Sequence, residues 1–283
     1  FQPEKMKDPV FIQQLQAYKA DLQVVVAFRM LPEIVWAMPK FGTFNVHAAL
    51  LPNYRGAAPI NWAIRLGFKQ TGLTAFRLSD KIDCGDIISS IFVDIDVDET
   101  YDSLFVKLSY KCADFTMGSL NMFRIISITG TGERHQPNIG VKSDILVAPK
   151  ITLKYWDGWL SLSMIEISRL FRSTSNGLPC KLYVIDSDKN KPCDVFNAKI
   201  WNYEFIPNLE EGSEGVNWYP TECDGKHYIR VAFGDQVEKV MSIKEIQLSG
   251  KKKMGVEEFL RGFKYTRNNK DNYRLTISSN LID

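Results

Sequence analysis

The sequence has no long apolar run: the longest, Val24–Phe28, is strand length, far short of the ~18 residues a membrane helix requires, so no membrane partner is expected. Cysteine is sparse and scattered. The five thiols (Cys84, Cys112, Cys180, Cys193, Cys223) are odd in number and never form a C-x-x-C pair. That argues against a disulfide framework and a thiolate zinc site, and it fits a reducing compartment. Neither sign of charge dominates: 35 Lys+Arg stand against 33 Asp+Glu, a net charge of +2, which is not the mark of a strongly basic nucleic-acid binder. A local basic patch stays open. Repeats and low-complexity tracts are missing as well, and histidine is limited to His47, His135 and His227.

What is present is globular: 283 residues, 45% of them hydrophobic, enough for two domains that each bury a core. The first residue is Phe1, not Met, so the chain is expected to begin inside a longer protein. Asp8 followed by Pro9, with Phe11, Leu15 and Tyr18 at helical spacing, predicts a helix. Val24–Phe28 then predicts a parallel strand covered on both faces. A short helix after Pro32, a strand from Gly42 into His47, and strands over Gly72–Leu78 and Asp86–Ile95 continue an α/β pattern. Leu104, Leu108, Cys112 and Phe115 trace one stripe of a long helix. Near Ile128 the texture turns to Thr, Gly, Pro and Asn, which predicts a first domain over 1–126, a linker over 127–151 and a second domain over 152–283. The second domain opens with a helix around Met164–Phe171. Strands are expected over Cys180–Ile185, Val195–Ile206, His227–Phe233 and Val240–Leu248, a pattern that suggests a small OB-like β-barrel.

His135 falls in the linker and His227 at a strand edge, and both read as structural or solvated. His47 stands at the end of a predicted strand, two residues after Asn45, so alternation puts both side chains on one face. Ligands of open α/β sheets bind at such strand ends. Spacing alone also fits an ordinary strand, but the surrounding motifs add to it. Asn45-Val46-His47, Leu50-Leu51-Pro52, Tyr54-Arg55-Gly56-Ala57-Ala58-Pro59, Thr71-Gly72-Leu73-Thr74 and Ile82-Asp83-Cys84-Gly85-Asp86-Ile87 occur in that order. Together they resemble the folate-dependent formyltransferases. Ala148-Pro149-Lys150, Asp157-x-Trp159 and the stretch Leu248–Met254 with Glu258-Phe259-Leu260 resemble the C-terminal module of the branch that acts on methionyl-tRNA.

The resemblance implies a Rossmann-like catalytic domain whose first strand-helix-strand portion would precede Phe1, followed by an OB-like tRNA-binding domain. It implies formyl transfer from 10-formyltetrahydrofolate to initiator methionyl-tRNA, without a metal, by a cytoplasmic monomer; an organellar location stays open. Asn45, His47 and Asp83 would form the catalytic set. Asn45 and His47 would donate hydrogen bonds to the oxyanion, and Asp83 would hold the imidazole and favour its positive charge. Asp86 reads as a brace of the turn that Gly85 permits. The folate pocket would use Phe28, Arg29, Met30, Leu31 and Ile82, with Ala49, Leu50, Leu51 and Pro52 standing where the family has Ser-Leu-Leu-Pro; the serine hydroxyl is absent, and Asn53 replaces a common basic residue. Arg55 and Lys251, Lys252 and Lys253 would contact tRNA. The segment 251–274 carries eight basic residues against three acidic ones, an expected phosphate-contacting face. Tyr228, Phe233, Phe263 and Tyr265 could stack a base, although core packing explains Tyr228 and Phe233 more simply. The alternatives are a nucleotide-sugar N-formyltransferase, whose loop can also carry an Ala-Pro-x-Asn-Trp string such as Ala58–Trp62, a formyl-folate hydrolase, and a noncatalytic RNA-binding protein.

Overall fold

The structure, a computed structural model, describes residues 3–26, 30–132, 134–136, 146–207, 221–233, 239–267 and 273–281. The chain divides into two compact units, 1–150 and 151–283.

In the first unit, α1 (Pro9–Ala17) starts where the cap signal lies, with Asp8 accepting from the Val10 N–H at 3.0 Å. Strand β1 (Gln23–Val26) connects through α2 (Glu33–Trp36) to β2 (Thr43–His47), which it pairs in parallel. After α3 (Pro59–Arg65), β3 (Gln70–Arg77) and β4 (Ile87–Asp94) add antiparallel strands, giving the order β1-β2-β3-β4. Alternation on β2 sends Phe44 and Val46 into the core and leaves Asn45 and His47 on the other face. Phe44 is fully buried against Phe123 of α4 (Tyr101–Thr129), with ring centroids 5.2 Å apart. That helix opens with a Thr100/Ser103 capping box and stops at Gly130, whose φ of +69° favours glycine.

Two expectations change here. Strand β1 is not covered on both faces: Val24 and Val26, which share one face, are 39% and 47% exposed, and among the described residues the strand also ends the sheet. Helix α4 also runs past the expected domain end, since Phe123 and Ile126 extend its buried stripe. The expected linker is not free of the first unit either. Arg134 exchanges backbone hydrogen bonds with Ile87, and residues 146–149 dock on the loop after β2.

The second unit contains α5 (Met164–Arg172), β5 (Leu178–Asp186), β6 (Lys191–Pro207), β7 (Thr221–Cys223), β8 (Ile229–Ala232) and β9 (Lys239–Leu248), then β10 (Met254–Gly255), α6 (Val256–Gly262), α7 (Lys264–Arg267) and β11 (Tyr273–Ser278). The strands pair antiparallel in the order β11-β5-β6-β9-β8-β7, with β10 on β9. The ends of this path meet where the Ile277 N–H donates to Thr221 Oγ1 at 3.1 Å, so the sheet is nearly a closed barrel and leaves little open edge. Its core gathers Trp159, Leu170, Leu182, Ile200, Ile243 and Ile277. Strands β7 and β11 have no counterpart in the sequence reading. The alternation of Tyr273, Leu275 and Ile277 marks β11, but the basic residues around it masked the signal. No helix of the described residues is long and apolar enough to cross a membrane.

Packing of this kind makes a contrast measurable. Phe44→Ala should lower unfolding free energy by about 3–5 kcal/mol, whereas Phe92→Ala, at a side chain 70% exposed, should change it by less than about 0.5 kcal/mol in urea denaturation. Equal losses at the two positions would contradict the placement of β2 and β4.

Candidate active site

The strand β2 ends at His47, whose ring lies edge-on to Phe76 of β3 with centroids 6.4 Å apart. Its Nε2 lies 2.8 Å from the Tyr54 carbonyl oxygen. A carbonyl only accepts, so Nε2 carries a hydrogen, and whenever the ring has a lone pair it is on Nδ1. Nδ1 faces Asp83 Oδ2 at 3.8 Å, and the two side chains are only 8% and 14% exposed. That separation is too long for a direct hydrogen bond and leaves the pair to a bridging water or a small approach of the two turns. Asp83 Oδ2 also accepts from the Gly56 N–H at 2.8 Å.

The loop after β2 therefore touches both members of the pair. Tyr54 has φ +60° and Asp83 has φ +51°, left-handed values that cost a side-chain-bearing residue energy and persist where the surroundings enforce them. Gly56 has φ +124°, and a Cβ there would come within 2.5 Å of the Ala148 carbonyl oxygen. Residues 146–149 brace this loop: the Leu146 carbonyl accepts from Tyr54 N–H, Ala148 bonds the backbone of Arg55 and Ala58, and Trp62 Nε1 donates to the Pro149 carbonyl. From the other side, the buried Thr74 hydroxyl donates to the Ala49 carbonyl at 2.6 Å and accepts from Leu51 N–H at 3.2 Å. The Tyr54 ring packs edge-on against Phe68, and burial pushes its phenol well above the ordinary range.

A cavity of about 630 Å³ opens beside the pair, within the range for small-molecule sites. Asn45, His47 and Asp83 line it together. Asn45 Oδ1 is buried with no hydrogen-bond partner among the described residues, a state expected of a group that a ligand completes. The remaining wall is mostly apolar and includes Met30, Leu31 and Ile82. Phe28 and Arg29 lie outside the described residues. Ala49, Leu50, Leu51 and Pro52 do not line the cavity: Ala49 and Leu51 are buried in small clusters behind it, and Ala48 takes their place at the wall. Tyr101, Phe105 and Ser109 of α4 also reach the cavity, which the sequence could not reveal because α4 lies far along the chain.

Arg55 is not at the surface. It is 4% exposed, and its Nε and one Nη donate to Gln136 Oε1 at 3.1 and 2.8 Å, so its guanidinium is not offered to a tRNA phosphate. The Asp86 side chain reaches out of its own turn to the ring of the exposed His135, 2.5 Å away. A Cβ at Gly85 would fall 1.6 Å from the Arg77 carbonyl oxygen, which is the physical reason for glycine there. His227 pairs with Asp224 at 2.7 Å. In the second unit, Lys251, Lys252 and Lys253 are exposed on the turn after β9, with Lys253 Nζ 3.4 Å from Glu245 and 5.4 Å from the Trp201 ring centre. Phe233 and Phe263 are buried in the barrel core and cannot stack a base, and the Tyr265 hydroxyl is bound to Asp194 at 2.8 Å. Among the described residues no three His, Cys, Asp or Glu side chains gather as a metal site.

Comparison with known proteins matches both units. Residues 1–112 match the formyl transferase family, and residues 158–264 match its C-terminal domain. A protein of Bacteroides fragilis named methionyl-tRNA formyltransferase is 37% identical over 269 residues, which cover 94% of this chain and 78% of that protein. One of the same name from Flavobacterium johnsoniae is 35% identical over 265 residues, with the same coverage. Among solved structures, HypX from Aquifex aeolicus in complex with tetrahydrofolic acid shares the fold at a TM-score of 0.54 and 17% identity, over 89% of this chain and 41% of HypX. With both of its units matched and relatives above a third identical along nearly its whole length, this chain belongs to the formyltransferase family.

Proposed function

We propose that the protein transfers a formyl group from 10-formyltetrahydrofolate to the amino group of methionyl-tRNA. The observation that carries this reading is the convergence of Asn45, whose buried Oδ1 has no partner among the described residues, and the His47–Asp83 pair on one largely apolar cavity. Folate enters as a substrate, and the cavity volume and largely apolar wall fit such a ring system. The names of the relatives support the acceptor. The reading carries with it an initiator methionyl-tRNA partner, a cytoplasmic location and a monomeric working state.

Attack of a neutral amine on the formyl carbon leaves a negative oxygen and a positive nitrogen. Asn45, on the cavity wall, would donate its amide N–H to that oxygen; a single donor of this kind is commonly worth ~10²–10³ in rate. His47 has its Nε2 proton committed to the Tyr54 carbonyl, so the working nitrogen is Nδ1. Facing Asp83, Nδ1 can take the amine proton directly or through water and return it to the departing folate nitrogen. Asp83 stabilises the imidazolium during that step. The Gly56 N–H keeps the carboxylate aimed at the ring.

In the full-length enzyme, Asn45→Ala and His47→Ala should each lower kcat at least ~10²-fold, and His47→Ala should also lower the thermal midpoint, since it leaves the buried Tyr54 carbonyl without its donor. Asp83→Asn should keep the loop and still lose turnover. Near-normal kcat in all three variants would remove the mechanism.

Acceptor choice has its own test in the lysines after β9. Changing Lys251, Lys252 and Lys253 together to Gln should raise the KM for methionyl-tRNA and flatten its salt dependence, by about 0.9 in log–log slope per lost duplex phosphate contact. The KM for the folate donor should hold. Formylation of an amino-sugar nucleotide in a parallel assay, with no salt-sensitive tRNA binding, would refute the tRNA acceptor and leave the formyl chemistry in place.

A further inference from the structure

One side chain from the segment after α4 joins the two turns that fix the His47–Asp83 pair. Gln136 Oε1 accepts from Arg55 Nε at 3.1 Å and Nη2 at 2.8 Å, while Gln136 Nε2 donates to the Gly85 carbonyl at 2.7 Å. Arg55 is the middle residue of the three whose outer members hold the pair: Tyr54 accepts from His47, and Gly56 donates to Asp83. Gly85 lies two residues past Asp83. The glutamine amide thus uses acceptor and donor together to set the distance between the turn that holds the imidazole and the turn that carries the carboxylate.

We infer that Gln136 is a positioning residue for the His47–Asp83 pair, acting through Arg55 and the Gly85 carbonyl. The inference rests on the formyl-transfer reading for its kinetic consequence but not for its geometry. Three further observations support it. Tyr54 and Asp83 both sit in left-handed conformations that need outside restraint, and Gln136 bridges the turns on which they lie. Gln136 is itself anchored, because Arg134 two residues earlier exchanges backbone bonds with Ile87 at 2.8 and 3.0 Å, and His135 pairs with Asp86. The pair stands 3.8 Å apart, so a small shift of either turn decides whether a proton or a water can bridge it. Glutamine can accept from a guanidinium and donate to a carbonyl at once while staying uncharged.

The test uses the full-length enzyme with ¹⁵N-labelled histidine, with the His47 ring signals assigned by their loss in His47→Gln. Gln136→Ala should lower kcat about 10- to 100-fold while the KM values for folate donor and methionyl-tRNA stay within about threefold of wild type. It should also move the His47 Nδ1 and Nε2 shifts, which a purely structural loop contact would leave alone. Gln136→Glu guards against a folding artefact. Its carboxylate keeps accepting from Arg55 but lacks the donor for Gly85, and protonation restores that donor, so its activity relative to wild type should rise on acidification while that of Gln136→Ala does not. The charged groups facing this side chain from neighbouring elements are Arg55 and, on the adjacent turn, Asp86 with His135. Wild-type kcat in Gln136→Ala, or a fall in kcat with His47 shifts unchanged, would overturn the inference. Shifted His47 signals in a protein that forms no formyl-methionyl-tRNA would uphold the positioning role and sink the formyl-transfer reading instead.

Discussion

The backbone of Tyr54–Gly56 supplies the constraint on which the site depends. Its first residue gives a carbonyl to His47 Nε2, and its last gives an N–H to Asp83 Oδ2. Three consecutive residues thereby fix which ring nitrogen of His47 bears a hydrogen and the aim of the Asp83 carboxylate. Neither bond survives if the turn relaxes, and the turn is costly to hold, with Tyr54 in the left-handed region and Gly56 pressed against the Ala148 carbonyl. The surrounding structure answers that cost from three directions: Thr74 from the sheet, residues 146–149 from beyond the first helix layer, and Gln136 through Arg55.

This arrangement changes how the chemistry divides among the residues. A histidine read from sequence could use either ring nitrogen toward an oxyanion. With Nε2 bound to a carbonyl, His47 is left with Nδ1, which looks toward Asp83 and suits proton movement more than oxyanion stabilisation. In the proposed mechanism the oxyanion would then be met chiefly by the Asn45 amide, which shares the cavity wall with His47 and Asp83. Arg55 shows the same shift from surface to interior. An arginine in a loop suggests a phosphate contact, but here its charge serves the loop's own geometry.

Much was legible in the sequence because it depends on local pattern. Asp8-Pro9 marked the start of α1, the stripe from Leu104 to Phe115 marked α4, and period-two alternation put Asn45 and His47 on one face of β2. The motif order pointed to the family, and it gave Asn45, His47 and Asp83 as a set even though Asp83 lies on a separate turn. Four barrel strands were visible for the same reason, while β7 was too short to carry a period and β11 was hidden among charges.

Tertiary structure alone decided whatever depends on which distant segments meet. No periodicity connects Gln136 with Gly85, Thr74 with Ala49, or Ala148 with Gly56, because those contacts arise when loops fold back and satisfy buried backbone groups that have no partner within their own segment. The sequence determined which residue types are available for the reaction and on which strand two of them stand. The packing of 134–136 and 146–149 against the loop after β2 decided which nitrogen of His47 is free, why Arg55 is buried, and why Ala49–Pro52 lie behind the cavity wall, since only a folded chain brings those hydrogen-bond donors and acceptors within reach of one another.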